Sequence, residues 1–96
     1  MIVVDASAVL ELLLRSPRAT SIESRMFAAG QTLHAPYLLD IEVSQVLRRF
    51  TLRRELYGAR AEIALSDFLS LRIQRYGHDL FLPRVWELRA NFTAYD

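Results

Sequence analysis

The chain contains no cysteine, which excludes disulfides, thiolate metal sites and a cysteine nucleophile. That absence fits a reducing cytoplasm. Lysine is missing too: all twelve basic residues are arginine. Codon bias produces such a pattern as readily as phosphate recognition does, although the guanidinium fork suits phosphate oxygens well. Long apolar runs are also absent. The longest is four residues, and Asp5 and Glu11 interrupt the N-terminal stretch. A signal peptide or a membrane-spanning helix needs far longer runs, so no membrane association is expected. Charge of one sign is not in excess, since the net charge is +1. No bulk field therefore selects nucleic acid, membrane or acidic substrate. The sequence shows no internal repeat, low-complexity tract or linker. What remains is a chain of 96 residues with 52% apolar content, enough for one domain, residues 1–96, with a real core.

Ile2-Val3-Val4 is a short β-branched run without alternation, as in a strand buried on both faces of a parallel sheet. Asp5 ends it. Residues 7–14 read as a helix, with Ser7 as N-cap and Leu10, Leu13 and Leu14 on one face. In "SPRATSIESRMFAAG", Ser16 caps a second helix, Pro17 takes its first turn and Gly30 ends it. "TLHA" at 32–35 reads as a second strand. Pro36 then opens a helix in which Leu39, Val43, Val46, Leu47 and Phe50 form a stripe of helical period. A further helix over 59–70 turns Ala61, Ala64, Leu65, Phe68 and Leu69 inward. "LRIQRY" reads as a third strand, and Pro83 starts a last helix carrying Val85, Trp86, Leu88 and Phe92. Strands alternating with helices imply right-handed crossovers and a parallel sheet, so the fold class is α/β. Ligands of such sheets gather beyond the strand C-termini, which is where Asp5 lies.

Of eleven acidic residues, Glu11, Glu23, Glu55, Glu62, Asp67 and Glu87 lie in arginine-rich helical stretches and read as solvent-facing. Asp5 follows a buried strand directly, although Asp also favours turn and cap positions. Glu42 sits at the edge of the apolar stripe, because Leu38 and Val46 lie within about 40° of it around the helix. A Glu paired with an Arg is the alternative there. Asp40 falls on the opposite side and reads as solvent-facing. Asp96 closes a T-x-x-D sequence, a capping box for a helix. Were these three acids to converge, two carboxylates about 4 Å apart would repel by about 4 kcal/mol at an effective dielectric near 20. A cation would be needed to hold them ionised. Carboxylates without Cys or His select hard cations, Mg²⁺ or Mn²⁺, which suit phosphodiester hydrolysis.

The order of "IVVDAS", "LLDIEVSQVLRRF" and "NFTAYD" along the chain resembles the PIN-domain toxins of bacterial type II toxin–antitoxin modules, the VapC family. No single motif is decisive; the three together, in order and at these separations, are specific. The resemblance implies a PIN-like three-layer α/β/α fold with a short parallel sheet, and a Mg²⁺- or Mn²⁺-dependent endoribonuclease. It also implies an RNA substrate, a cognate VapB-type antitoxin, a homodimer and a cytoplasmic location. By the same resemblance Asp5, Glu42 and Asp96 are the catalytic, metal-binding acids. Ser7 is the hydroxyl residue two positions after the first acid, and Asn91 and Thr93 are supporting polar residues beside the third. Family members typically continue further, through a helix, another strand and often a fourth acid. The expectation is therefore a C-terminally incomplete domain, with the first strand left as an exposed sheet edge.

Other features carry less. In "RRFTLRR" only Arg49 and Arg53 stack at i, i+4; they read as a solvated face or as weak RNA contacts. His34 and His78 read as structural. Trp86 and Tyr95 are able to stack on bases, but the stripe places Trp86 in the core. Ser7 has no His base to make it a nucleophile. An alternative to the nuclease is a catalytically inactive PIN remnant that binds an antitoxin or dimerises through its apolar helices.

Overall fold

The computed structural model describes residues 1–87 and the strand at 93–95. In chain order the elements are β1 (Ile2–Val4), α1 (Ala6–Leu13), α2 (Ala19–Met26), β2 (Leu33–Pro36), α3 (Leu38–Leu52), α4 (Gly58–Ser70), β3 (Ile73–Tyr76), α5 (His78–Glu87) and β4 (Thr93–Tyr95). The strands form one sheet in the order β3-β2-β1-β4, and every pairing is parallel. No helix among the described residues is long and apolar enough to cross a membrane.

Each strand is too short to bury itself, so the helices supply the core. Ile2, Val4, Leu33, Ala35 and Ile73 are buried on one face of the sheet. Against them pack Val9 and Leu12 of α1, Ile22 and Met26 of α2, Leu39, Val43 and Leu47 of α3, and Phe68 of α4. Burying a side chain such as Phe68 contributes about 1.5–3 kcal/mol. The sheet steps from β1 to β2 to β3 through α1–α4, then returns across β2 and β1 to β4 through α5. Right-handed crossovers place helices on opposite faces when the direction of travel reverses. The contacts agree: α1 touches α2, α3 and α4, whereas α5 meets the sheet at β2. The result is an α/β/α sandwich of PIN-like type. Its second face is thinner, with Val3, His34 and Tyr76 only half-buried.

Several expectations are corrected. β1 is not an edge: β4 pairs with it from Ile2↔Thr93 to Val4↔Tyr95. Thr93-Ala94-Tyr95 has β-favouring residues at its ends and completes the ladder, so it is a strand and not a capping box. The cap of α1 is Asp5, not Ser7. Asp5 has the extended backbone a cap requires (φ −113°, ψ 173°), and its side chain accepts from the Ala8 amide. Pro36 closes β2 and Pro83 lies inside α5. α2 stops at Met26, short of Gly30, which has φ 81° in the turn that follows. Leu69 (71% exposed) and Trp86 (68% exposed) are surface residues, and Leu65 is partly exposed. The apolar stripe of α4 is thus broader than its packed face, where only Ala64 and Phe68 are buried. Leu88 and Phe92 lie outside the described residues.

Candidate active site at the C-terminal edge of the sheet

The direction of the crossovers reverses beside β1. Its C-terminal end is therefore the topological switch point, where open α/β sheets bind ligands. Asp5 stands there. Its Oδ1 accepts from the Ala8 amide at 3.0 Å, so the carboxylate is held at the N-terminus of α1, where the helix dipole favours negative charge. The half-buried Asp5 is thus both a cap and the acid nearest the switch point.

Glu42 lies in the second turn of α3, which starts two residues after β2 ends. β1 and β2 are parallel neighbours, so α1 and α3 begin at the same edge of the sheet. The side of α3 on which Glu42 stands is set by its opposite flank. There Asp40 Oδ1 accepts from Arg75 Nε at 2.7 Å. Arg75 is on β3; it also donates to the Ile73 carbonyl, and its guanidinium lies 5.3 Å from the Phe68 ring centroid. Asp40, expected to face solvent, is instead tied to the sheet. Glu42 is about 160° from Asp40 around the helix, on the flank toward α1. Val46 lies one turn further along that flank and, with Phe50, faces Ala6, Ser7, Leu10 and Leu14 of the first helix and its exit across a groove of about 420 Å³. Glu42 is exposed, one turn closer than Val46 to the edge where Asp5 sits.

Ser7 is exposed on the first turn of α1 and lines the same groove. Thr93 begins β4. Asn91 and Asp96 lie outside the described residues. Among the described residues no group of three His, Cys, Asp or Glu side chains is placed to hold a metal ion. Asp5 and Glu42 are the two acids of the expected triad that the structure describes. Both are oxygen donors, the chemistry a hard cation prefers. His34 is engaged through both ring nitrogens, with the Tyr76 hydroxyl at 2.7 Å and Thr32 Oγ1 at 2.8 Å, as its structural reading requires. Another groove, of about 800 Å³ between β2, β3 and the turn after α2, is at the N-terminal edge, and no acidic side chain lines it. The Arg75–Asp40 clamp escaped the sequence reading, because nothing in the spacing couples residues 35 positions apart.

No family model matches the chain. Individual relatives do. It is 42% identical over 96 residues to Ribonuclease VapC9 of Mycobacterium tuberculosis, an alignment that takes in all of this chain and 72% of that protein. VapC ribonuclease Mb0985 of Mycobacterium bovis matches to the same extent. Ribonuclease VapC12 of M. tuberculosis is 34% identical over 96 residues, with 73% of its length covered. These matches run through the switch-point acid and α3 alike, and with the parallel α/β sandwich they establish that the chain belongs to the VapC ribonuclease family.

Proposed function

We propose that the protein is the toxic component of a type II toxin–antitoxin module, a metal-dependent endoribonuclease that cleaves RNA phosphodiester bonds. The observation that carries this reading is the placement of Asp5 and Glu42 on adjacent elements at the switch-point edge, within a chain of VapC descent. Asp96 completes the proposed ligand set on the strength of the family resemblance. Carboxylates alone fit Mg²⁺ or Mn²⁺. Such a cation, when bound, acidifies water and offsets charge at phosphorus. The chain's own acids hold and orient it. Asp5 is fixed by its cap, and Glu42 by the setting of α3. Ser7, which lines the groove, orients a water or a carboxylate on this reading, and Asn91 and Thr93 support the third acid. A VapB-type antitoxin and a homodimer are proposed as partners on the same family grounds.

Asp5→Asn tests the assignment. Asparagine caps helices as well as aspartate does, so the fold is retained while the anionic ligand is lost. Mn²⁺-dependent cleavage of RNA should fall to background. Cleavage at the wild-type rate in a folded Asp5→Asn variant would overturn the proposed site.

A further inference from the structure

The flank of α3 that carries Glu42 continues into two cations. At 100° per residue, Arg49 and Arg53, the latter the C-cap just past Leu52, each lie within about 20° of Glu42, roughly 10 Å and 16 Å further along the axis. Both are exposed, and neither makes an ion pair with a described acidic residue. Beside them runs the groove between α1 and α3, walled by Leu10, Leu14, Val46 and the half-buried Phe50. The one acid on its α1 wall is compensated. Glu11 Oε2 is buried without a hydrogen bond, 3.2 Å from Arg18 Nη1, an ion pair in distance though not in hydrogen-bond alignment. The groove therefore starts near the acidic edge and offers an aromatic side chain, while the adjoining flank of α3 carries the two arginines.

We propose that this flank is the track for one arm of a single-stranded RNA leaving the scissile position. Arg49 and Arg53 contact successive stretches of its phosphate backbone, and Phe50 offers a stacking face to a base between them. Arginine pairs with phosphate through charge-assisted bonds, and stacking beside a cationic rim is the usual way single strands are held without sequence readout. Stacked nucleotides rise about 3.4 Å per step, so Arg49 and Arg53 lie about three and five nucleotides from Glu42. The inference rests on the proposed nuclease reading for the identity of the polyanion.

The test is binding of a fluorescently labelled single-stranded RNA in EDTA, across a series of salt concentrations. EDTA separates binding from cleavage. Each phosphate contact on a single strand contributes about 0.7 to the slope of log affinity against log salt. Arg49→Ala and Arg53→Ala should each reduce that slope by about 0.7, and the double variant by about 1.4. Arg72→Ala, at an exposed residue just before β3, should leave it unchanged. Alanine preserves the helix, and a melt confirms the fold of each variant. Unchanged slopes in the double variant overturn the track. An equal loss in Arg72→Ala overturns it as well, since binding would then be diffuse. Competition by polyglutamate as effective as by unlabelled RNA reassigns the flank to an acidic protein partner and also overturns it. Asp5→Asn distinguishes the two proposals: a variant that binds normally yet still cleaves sinks the active site and leaves the track standing.

Discussion

Asp5 asks two things of one carboxylate. As the N-cap of α1 it must accept from the Ala8 amide; as a proposed ligand it must carry charge. Asparagine meets only the first demand and alanine meets neither. Loss of a cap costs about 1 kcal/mol, so Asp5→Ala should be less stable than Asp5→Asn by about that much in urea titrations with EDTA. Equal stability of the two variants would mean that the cap contributes nothing. At this scale the sequence was half legible. The end of a β-branched run pointed to Asp5 as a site residue. It named Ser7 as the cap where Asp5 is the cap, because both are good cap residues and the choice is made by which of them takes extended backbone. Trp86 was misread for a similar reason: a helical stripe shows which residues share a face, not whether another element reaches that face.

Among the elements, α3 has the most to hold. Its buried stripe of Leu39, Val43 and Leu47 fixes the face toward the sheet, yet a stripe alone permits some rotation about the helix axis. The Asp40–Arg75 pair restricts that rotation from one flank and so positions Glu42 on the other. Asp40 is a positioning residue on this account. Asp40→Asn should cost only about 0.5–1 kcal/mol of stability, since the Asp40 side chain is 45% exposed. Its effect on Mn²⁺-dependent cleavage should be larger than that of Asp67→Asn, an acid on α4 remote from the edge. Exchanging the partners, Asp40→Arg with Arg75→Asp, should recover part of the loss. Cleavage unaffected by Asp40→Asn would remove the clamp from the account. The existence of the helices was legible from period and composition; their ends were not. Both α1 and α3 finish in Schellman turns, in which Ser16 and Glu55 amides bond back to the Glu11 and Phe50 carbonyls. The left-handed position in each is filled by arginine, Arg15 at φ 54° and Arg54 at φ 58°, where the usual signal is glycine. The left-handed conformation costs a non-glycine residue about 1–2 kcal/mol, and no propensity rule anticipates it.

On the scale of the whole molecule, alternation of strands and helices forecast the parallel sheet because handed crossovers leave few other arrangements. The place of β4 was not forecast. Thr93-Ala94-Tyr95 suits a strand or the start of a helix equally well, and pairing with β1 decides between them. That pairing also makes the proposed site a property of the assembled sheet. Its acids come from segments that meet only when β1, β2 and β4 are side by side. Binding of a divalent cation should therefore be coupled to folding. At a Mn²⁺ concentration about a hundred times its dissociation constant, mass action adds about 2.7 kcal/mol to the native state. In a domain of this size that shifts the thermal midpoint by about 10–20 °C. The 96-residue chain should melt cooperatively, its midpoint should rise with Mn²⁺, and Asp5→Asn should abolish the rise. A cooperative melt insensitive to Mn²⁺ would show that the acids do not form a cation site in this chain, and the ribonuclease reading would then lose its cofactor and its mechanism together.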